Sequence, residues 1–334
     1  MRGIALAIVF ALAFDVTNGF HDSANAVAAL VATRAARPAN AIAFVAVFNF
    51  LGPVVAGTAV AETVGGIIRV EGHSALATVG AALTGALAWN LLTWWRGLPS
   101  SSSHALVGGL TGAALLDAGF HAVRWGGLDG IRPTGVTGVL AALAVAPLLG
   151  FVAGLVGARA LRRALRRAPR EAKRAVLRGE WWTASALAFS NGANDAQKTM
   201  GVITLLLVAD GRIDSFSVPL WVKLAAAAAL TAGATFGGWR IVRTMGSGIY
   251  RLRPLDGLVS QGASAVVILG AAGIGAPIST THVVASSVVG VGAGQRWRHV
   301  RWAVVREMGL GWLVTLPASA ALGAAAVPMW RWFA

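Results

Sequence analysis

The chain has 334 residues, of which 56% are hydrophobic and 12% charged, with a formal net charge of +15 and no cysteine. So little polar surface cannot cover a water-soluble fold of this size, so the composition excludes a soluble globular protein and predicts an integral membrane protein. The absence of cysteine excludes disulfide bonds and thiolate metal sites.

Apolar segments follow one another along the whole chain, and most are long enough for a membrane span of about 20 residues. Those of the first half cover 3–33, 40–62, 75–95, 100–119 and 134–158, and those of the second half cover 180–208, 218–246, 257–275, 278–294 and 301–330. Five segments per half is an odd number, so the two halves enter the membrane from opposite sides. We therefore predict an all-α polytopic membrane protein with two inverted-topology repeats, at 1–158 and 179–334.

The segment between the two halves, 159–178, carries nine Arg or Lys residues against one acid, Glu171. A cluster of this kind marks the cytoplasmic side of a membrane protein, so the positive charge is not evidence for nucleic-acid binding. Counting spans outward from this segment puts both termini outside. We therefore expect a chain that crosses a membrane several times, with loop 159–178 in the cytoplasm.

Two similar polar strings lie inside the first apolar segment of each half: Asn18-Gly-Phe-His-Asp-Ser-Ala-Asn25 and Asn191-Gly-Ala-Asn-Asp-Ala-Gln-Lys198. Each places three polar side chains at i, i+4 and i+7, on one helix face. These are Asn18, Asp22 and Asn25 in the first string, and Asn191, Asp195 and Lys198 in the second. A carboxylate at membrane depth costs about 2.5–3.5 kcal/mol on insertion scales, so the two aspartates indicate a binding function. Hydrogen bonds that hold helices together are the alternative, most of all for the asparagines.

A second pair of strings lies late in each half: Pro99-Ser-Ser-Ser-Ser-His104 and Pro277-Ile-Ser-Thr-Thr-His282. Proline followed by hydroxyl residues is typical of a helix N-terminus. A helix that begins partway through the membrane directs its positive dipole end and free N–H groups at the space ahead, which suits an oxyanion. The alternative is that these helices begin at the membrane surface, where the serines would cap the helix and bind no ligand. Because the motif occurs twice, we predict broken or re-entrant helices whose hydroxyl residues meet the aspartates at the midplane.

Carboxylates beside an oxyanion site require a neutralising cation, which can be a proton, sodium or a divalent metal. Asp22 and Asp195 are therefore expected to bind the coupling ion, or a metal such as magnesium that travels with the anion. No other cofactor is expected.

These four ordered motifs, with Thr315-Leu-Pro317 in the last segment, resemble those of the inorganic phosphate transporter (PiT) family over essentially the whole chain. The resemblance implies secondary transport of inorganic phosphate across a lipid bilayer, inverted repeats, a homodimer and no enzymatic activity. It also implies that both motif pairs line the substrate path. The expected substrate ligands are Asp22, Asn25, Asn194, Asp195, Gln197 and Lys198, with the hydroxyl residues Ser101, Ser102, Ser103, Ser279, Thr280 and Thr281.

One departure from the family pattern bears on the coupling ion. Sodium-coupled members commonly read Gly-Ala-Asn-Asp in both halves, whereas the first copy here has His21 before Asp22, and the second continues with Gln197 and Lys198. This arrangement is similar to the bacterial low-affinity branch, for which the resemblance implies a location in the bacterial cell (inner) membrane and proton-coupled movement of neutral metal-phosphate complexes. His21 is either a titrating group, with an ordinary pKa of about 6.5, or a packing histidine. Lys198 would replace a cation that sodium-dependent relatives bind.

We therefore expect a proton-coupled phosphate symporter that works by alternating access, with Asp22, Asp195, His21, Asn18 and Asn191 as candidate coupling groups. Sodium coupling, and sulfate or another tetrahedral oxyanion as substrate, remain alternatives. A passive anion channel would not accumulate phosphate against its gradient. A membrane-embedded phosphotransferase that uses Asp22 and His21 is the remote alternative, because the sequence offers no clear metal triad or nucleophile–base set.

Overall fold

The computed structural model describes residues 2–98, 100–167, 169, 172–236, 242 and 248–334. Pro99, the predicted start of one hydroxyl motif, lies outside the described residues, as does part of the basic segment. The described chain is helical apart from short connections and one small β-hairpin, in which β1 (Gly127–Asp129) pairs antiparallel with β2 (Arg132–Thr134).

Eleven α-helices are found in the described ranges. In chain order they are α1 (Arg2–Ala32), α2 (Pro38–Val55), α3 (Ala59–Gly65), α4 (Gly72–Arg96), α5 (Ser102–Asp117), α6 (Gly135–Ala164), α7 (Ala172–Ala209), α8 (Leu220–Phe236), α9 (Pro254–Gly273), α10 (Thr280–Gln295) and α11 (Trp302–Trp330). Six of them, α1, α2, α4, α6, α9 and α11, are long and apolar enough to cross a membrane. The prediction of an all-α polytopic membrane protein is confirmed.

Two helix boundaries differ from those expected. The predicted segment 40–62 forms two helices, because the chain is extended at Ala56 and starts again as α3. The basic segment 159–178 is mostly helical, since α6 continues to Ala164 and α7 begins at Ala172. Arg, Lys, Leu and Ala, which dominate this segment, are all good helix formers, so the two helices extend beyond their apolar parts.

An antiparallel pair, α1 and α7, forms the centre of the fold. Near one end the Thr33 hydroxyl group donates a 2.9 Å hydrogen bond to Glu180, and farther along Thr199 donates a 2.6 Å bond to Asp15. Both helices run unbroken through the glycines of their polar strings. A Cβ atom on Gly19 would collide with the backbone of α8, and one on Gly192 with the backbone of α2. These glycines therefore permit close helix packing rather than a helix break.

α4 and α5 form a first helical hairpin, in which the end of α5 lies beside the start of α4. The Asp117 carboxylate at the end of α5 accepts a 2.7 Å hydrogen bond from Ser74 in the first turn of α4. α4 runs in the same direction as α1, since Gly3 lies beside Leu76, and His21 lies 3.3 Å from the carbonyl oxygen of Asn90. The hairpin turn therefore lies beside the middle of α1.

A second hairpin, α9 followed by α10, is arranged in the same way beside α7. The Tyr250 hydroxyl oxygen lies 3.1 Å from the Asp256 carboxylate at the start of α9 and 2.6 Å from the side-chain oxygen of Gln295 at the end of α10, within hydrogen-bond distance of both. Gly257 lies beside Glu180, and Gln261 lies 3.1 Å from Thr183, so α7 and α9 run in the same direction. The turn of this hairpin lies beside the middle of α7.

Each hairpin packs along a long helix from the other half of the chain. An ion pair joins the hairpin to that helix at the end of the hairpin opposite its turn. α11 lies along α5, with Arg331 2.8 Å from Asp117, and α6 lies along α10, with Arg162 2.6 Å from Asp256. Glycines line both contacts, because a Cβ atom at Gly112 would collide with the backbone of α11 and one at Gly290 with that of α6. The two hairpins are thereby held with their turns facing each other.

Candidate functional site

The two hairpin turns meet in the interior. Ser103 donates a 2.6 Å hydrogen bond to the carbonyl oxygen of Ile278, which joins the start of α5 to the start of α10. Ser101 and Ser279 are the N-caps of these helices and accept hydrogen bonds from the backbone N–H groups of His104 and His282, at 3.2 and 3.3 Å. The predicted capping by the hydroxyl residues is thus present in both helices. The remaining N–H groups of each first turn have no partner inside the helix, as at any helix N-terminus.

Asp22, in the middle of α1, contacts the start of α10. Its Oδ1 atom accepts a 2.9 Å hydrogen bond from Thr280 and a 3.2 Å bond from Asn25. The Asn25 amide also lies 3.4 Å from the Thr281 hydroxyl group. Four of the predicted site residues, two from each half of the chain, therefore form one hydrogen-bonded cluster.

Asp195, in the middle of α7, forms an ion pair with Lys198. Both side chains are almost completely buried, with 0% and 1% of their surface exposed. The Asp22 carboxyl group also interacts with Asp195 and with Lys198, so the two aspartates belong to one site. A buried ammonium group is tolerated only with such partners, because desolvation of an isolated charge costs several kcal/mol.

A third carboxyl group, Asp15, lies near the same site and is fully buried. It accepts the hydrogen bond from Thr199 and interacts electrostatically with Asp195 and Lys198. The cluster therefore holds three carboxyl groups and one ammonium group. If all of them were ionised, the site would carry an excess of negative charge away from water.

Several buried polar atoms of the cluster, and of Asn18 and Asn191 one helical turn away from its two aspartates, have no hydrogen-bond partner among the described residues. They are Asp15 Oδ2, both amide atoms of Asn18, Asp22 Oδ2, Asn25 Oδ1, Asn191 Oδ1 and Asp195 Oδ2. Each such atom costs about 1–3 kcal/mol of stability when it stays unpaired. The concentration of unpaired polar atoms at one place indicates that the cluster is built to bind something.

Ser102, between the N-cap Ser101 and Ser103 at the start of α5, offers a hydroxyl donor. Its side chain is 8% exposed, and within the described part of the chain its hydroxyl group makes no hydrogen bond. Unlike its neighbour Ser103, it is therefore free to donate to a ligand.

Asn194 and Gln197, predicted as substrate ligands, have amide groups that bond to the main chain. Asn194 donates a 3.1 Å hydrogen bond to the carbonyl oxygen of Ala276 and lies 3.4 Å from the N–H group of Ile278. Gln197 accepts a 2.9 Å hydrogen bond from the N–H group of Val60, in the first turn of α3, and donates to Ala193. Asn194 thus holds the turn of the second hairpin, and Gln197 caps α3.

The three motif histidines are packed among other groups. His21 lies beside the carbonyl oxygen of Asn90, as described above, and its Nδ1 atom has no partner among the described residues. His104 and His282 face each other across the hairpin turns, with ring centroids 4.9 Å apart, and His282 stacks on Trp312 at 3.8 Å. Sequence reasoning missed Asn90 and Trp312. A lone amide in the apolar segment 75–95 was the available signal for Asn90, whereas Trp312 had none.

Asp22 and Asp195 were also the predicted metal ligands. Within the described ranges, no group of three or more His, Cys, Asp or Glu side chains is close enough to hold a metal ion. Asp22 and Asp195 would therefore supply only part of a metal coordination shell, which typically uses four or more ligands.

Comparison with known proteins identifies the family. A model of the phosphate transporter family matches residues 18–323. Probable low-affinity inorganic phosphate transporters of Rhizobium meliloti (strain 1021) and Bacillus subtilis (strain 168) are 41% and 39% identical to the chain, over 95% and 96% of its length and 93% and 95% of theirs. A protein of the same name from Mycobacterium tuberculosis (strain ATCC 25618 / H37Rv) is 42% identical over 96% of this chain and 76% of its own length.

A solved structure described as the sodium-dependent phosphate transporter has the same fold, with a TM-score of 0.86 over 98% of this chain and 99% of that one, at 23% identity. The relatives are named as transporters and not as enzymes, which agrees with the prediction from the motifs. The family match spans both polar strings and both hydroxyl motifs, and the relatives match nearly the full chain. The chain is therefore a member of the phosphate transporter family.

Proposed function

We propose that this phosphate transporter is a proton-coupled symporter that carries phosphate as a neutral complex with a divalent metal such as magnesium. The observation that carries the proposal is the charge of the buried cluster, in which Asp15, Asp22 and Asp195 are opposed, among the residues that the structure describes, by Lys198 alone. Free phosphate would add negative charge to a site that already has an excess. A neutral metal-phosphate complex adds none, and protons on the carboxyl groups remove the remainder.

The two sides of the cluster suit the two parts of such a complex. Phosphate oxygens would accept hydrogen bonds from the Ser102 hydroxyl group and from the first N–H groups of α5 and α10, whose positive dipole ends favour an anion. The metal would face the unpaired oxygen atoms of Asp22, Asn25 and Asp195. Carboxylate and amide oxygens are the ligands that magnesium prefers, and it usually keeps several waters or phosphate oxygens in its shell.

The predicted site residues would divide into two roles. Asp22, Asn25, Asp195, Lys198, Ser102, Thr280 and Thr281 would contact the substrate or its cation, with Asn18 and Asn191 as further polar contacts. Ser101, Ser103, Ser279, Asn194 and Gln197 would act by positioning the helix starts, because their polar atoms already bond within the protein.

The position of Lys198 favours protons over sodium as the coupling ion. Its ammonium group pairs with Asp195 and is a fixed positive charge where a bound cation would otherwise be needed. The second candidate is sodium coupling, because the solved structure with the same fold is described as sodium-dependent. His21 packs against Asn90 and is a weaker candidate than the aspartates for the coupling proton.

Alternating access would use the pseudo-symmetry of the chain. We infer that 1–158 and 179–334 are inverted repeats, joined by the basic segment 159–178. The antiparallel α1 and α7 support this, as do two hairpins that enter from opposite ends and meet at their turns. In the proposed orientation, the protein is a homodimer in the bacterial inner membrane, with the basic segment in the cytoplasm and both termini outside.

The test is phosphate uptake into proteoliposomes with proton and sodium gradients imposed separately, each with magnesium present or chelated. We expect uptake that follows the proton gradient, needs the divalent metal and is little affected by excess sulfate. Uptake that requires sodium and ignores the proton gradient would overturn the proposal. Equal competition by sulfate would instead assign the site to tetrahedral oxyanions in general.

A further inference from the structure

One buried carboxyl group lies away from the substrate cluster. Glu180, in α7, has 0% of its surface exposed, and its Oε2 atom accepts the 2.9 Å hydrogen bond from Thr33 of α1. Its Oε1 atom has no hydrogen-bond partner among the described residues. An ionised carboxylate with a single hydroxyl donor is costly to bury, so the group is suited to gaining and losing a proton.

Glu180 lies along the same helix pair as the substrate cluster, toward the end that leads to the basic segment. At about 1.5 Å per residue, Glu180 is about 22 Å along α7 from Asp195, and Thr33 is about 16 Å from Asp22. The position is therefore too distant for contact with substrate in the cluster.

Polar groups lie at intervals between Glu180 and Asp22. The Thr183 hydroxyl group, one turn from Glu180, donates a 3.1 Å hydrogen bond to Gln261 of α9. Gln261 in turn donates a 2.9 Å bond to the carbonyl oxygen of Ala26, the residue after Asn25, and Asn25 bonds to Asp22. These side chains form a polar chain from the substrate cluster toward Glu180.

The other half of the molecule has no such chain at the matching positions. Pairing Asp22 with Asp195 matches Glu180 with Ala7, and Thr183 with Phe10. Pairing Pro99 with Pro277 matches Gln261 with Leu83. All three counterparts are apolar, so this polar chain has no copy at the matching positions of the first half.

Within the described part of the chain, the surroundings of Glu180 leave room for the carboxyl group and hold few charges. A Cβ atom at Gly257 of α9 would collide with Oε1 of Glu180, so glycine makes the space. The charged group that acts on Glu180 is Asp256, which is itself paired with Arg162 of α6 and accepts a hydrogen bond from Tyr250. On α1 the contact is the neutral hydroxyl group of Thr33.

We propose that Glu180 is a second proton-binding residue of this transporter, through which the coupling proton passes between the substrate cluster and the side of the membrane that carries segment 159–178. The Glu180 carboxylate takes up a proton that water molecules carry from the substrate cluster past Gln261 and Thr183, and then releases that proton to water on the other side. Each cycle thereby restores both sites. This inference rests on the proton coupling proposed above.

The experiment compares two transport modes in proteoliposomes that contain the full chain. The first is net phosphate uptake driven by a proton gradient, and the second is exchange of labelled for unlabelled phosphate at equal pH, which needs no net proton release. Wild type, Glu180→Gln and Glu180→Asp are compared, with Glu307→Gln, an exposed glutamate on α11, as control. Thr183→Val, which removes the hydroxyl donor at nearly constant volume, provides a second test that leaves the carboxyl group in place.

Proton transfer by a positioned side chain contributes about 100-fold or more to a rate, so Glu180→Gln should slow net uptake by at least about tenfold. Exchange should stay within about twofold of wild type, a change smaller than the effect of one average hydrogen bond. Glu180→Asp should retain part of the net uptake, and Thr183→Val should slow net uptake more than exchange.

Net uptake at the wild-type rate in Glu180→Gln would overturn the inference. So would an equal loss of exchange and net uptake in Glu180→Gln and Thr183→Val, because that result assigns the residues to folding or substrate binding. Wild type is measured first. If its uptake does not respond to a proton gradient, the proposed coupling itself fails, and this outcome is separate from any effect of the variants.

Discussion

The hydroxyl group of Thr280 donates a 2.9 Å hydrogen bond to the Asp22 carboxylate, and this contact joins the start of α10 to the middle of α1. The two residues come from different halves of the chain. Neither half alone therefore builds the cluster, and a movement of one hairpin relative to α1 would change the site directly.

Asp22→Asn and Asp195→Asn should each abolish concentrative phosphate uptake, by about 100-fold or more if the carboxyl group carries the coupling proton. The amide keeps nearly the same shape, and at position 22 it can still accept the hydrogen bond from Thr280, but it carries no negative charge and cannot take up the coupling proton. Uptake in proteoliposomes is the measurement. Asp210→Asn, in an exposed turn, is the control, and normal uptake by either test variant would remove that aspartate from the site.

Ser102→Ala and Ser103→Ala should differ, although the residues are neighbours. Ser102 has a free hydroxyl group, so its loss should weaken phosphate binding by about 1 kcal/mol, or about fivefold, with little change in stability. Ser103 bonds to Ile278, so its loss leaves a buried carbonyl oxygen unpaired and should lower the melting temperature of the purified protein. Thr111→Val, which removes a hydroxyl group bonded only within α5, is the control. The same effect from both serine variants would contradict the division of roles.

Lys198→Gln should destabilise the protein more than the double variant Asp195→Asn with Lys198→Gln. Removing one partner of a buried ion pair costs about 3–5 kcal/mol, because the other charge stays buried without compensation. Replacing both partners removes both charges. Thermal unfolding in detergent at neutral pH measures the difference, and a double variant that is no more stable than the single one would show that the ion pair is not the reason for burying Lys198.

Gln197→Leu should lower stability while leaving the apparent affinity for phosphate nearly unchanged. Its side-chain oxygen accepts the hydrogen bond from the N–H group of Val60, so the substitution leaves a buried donor at the start of α3 unpaired, at about 1–3 kcal/mol. Melting temperature and the phosphate concentration for half-maximal uptake are measured together. A large loss of affinity at normal stability would instead support Gln197 as a substrate ligand.

Much of the fold could be predicted from the sequence because few backbone structures can span a lipid bilayer. Apolar segments of sufficient length must be helices, since every backbone polar group needs a partner inside the bilayer. The hydroxyl motifs identified the starts of α5 and α10 for a local reason, because N-caps depend on the adjacent residues. Ser101 and Ser279 occupy the predicted capping positions.

The tertiary contacts could not be predicted in the same way. Gln197 lies on the string with Asp195 and Lys198, and nothing local shows that its amide turns toward α3. The break between α2 and α3 was missed for the same reason, because the cap that supports the new helix comes from a residue far along the chain. Thr199 was likewise missed as the partner of Asp15, since that contact depends on how α1 and α7 align.

The central claim is that Asp22, Asp195 and the two hairpin turns form the phosphate site, and the most direct test is a structure determined with phosphate and magnesium bound. The account predicts tetrahedral density between the start of α5 and the start of α10, with the Ser102 hydroxyl group and the Asp22 carboxylate in its immediate surroundings. Density for phosphate at any other place, with this cluster unchanged, would contradict it.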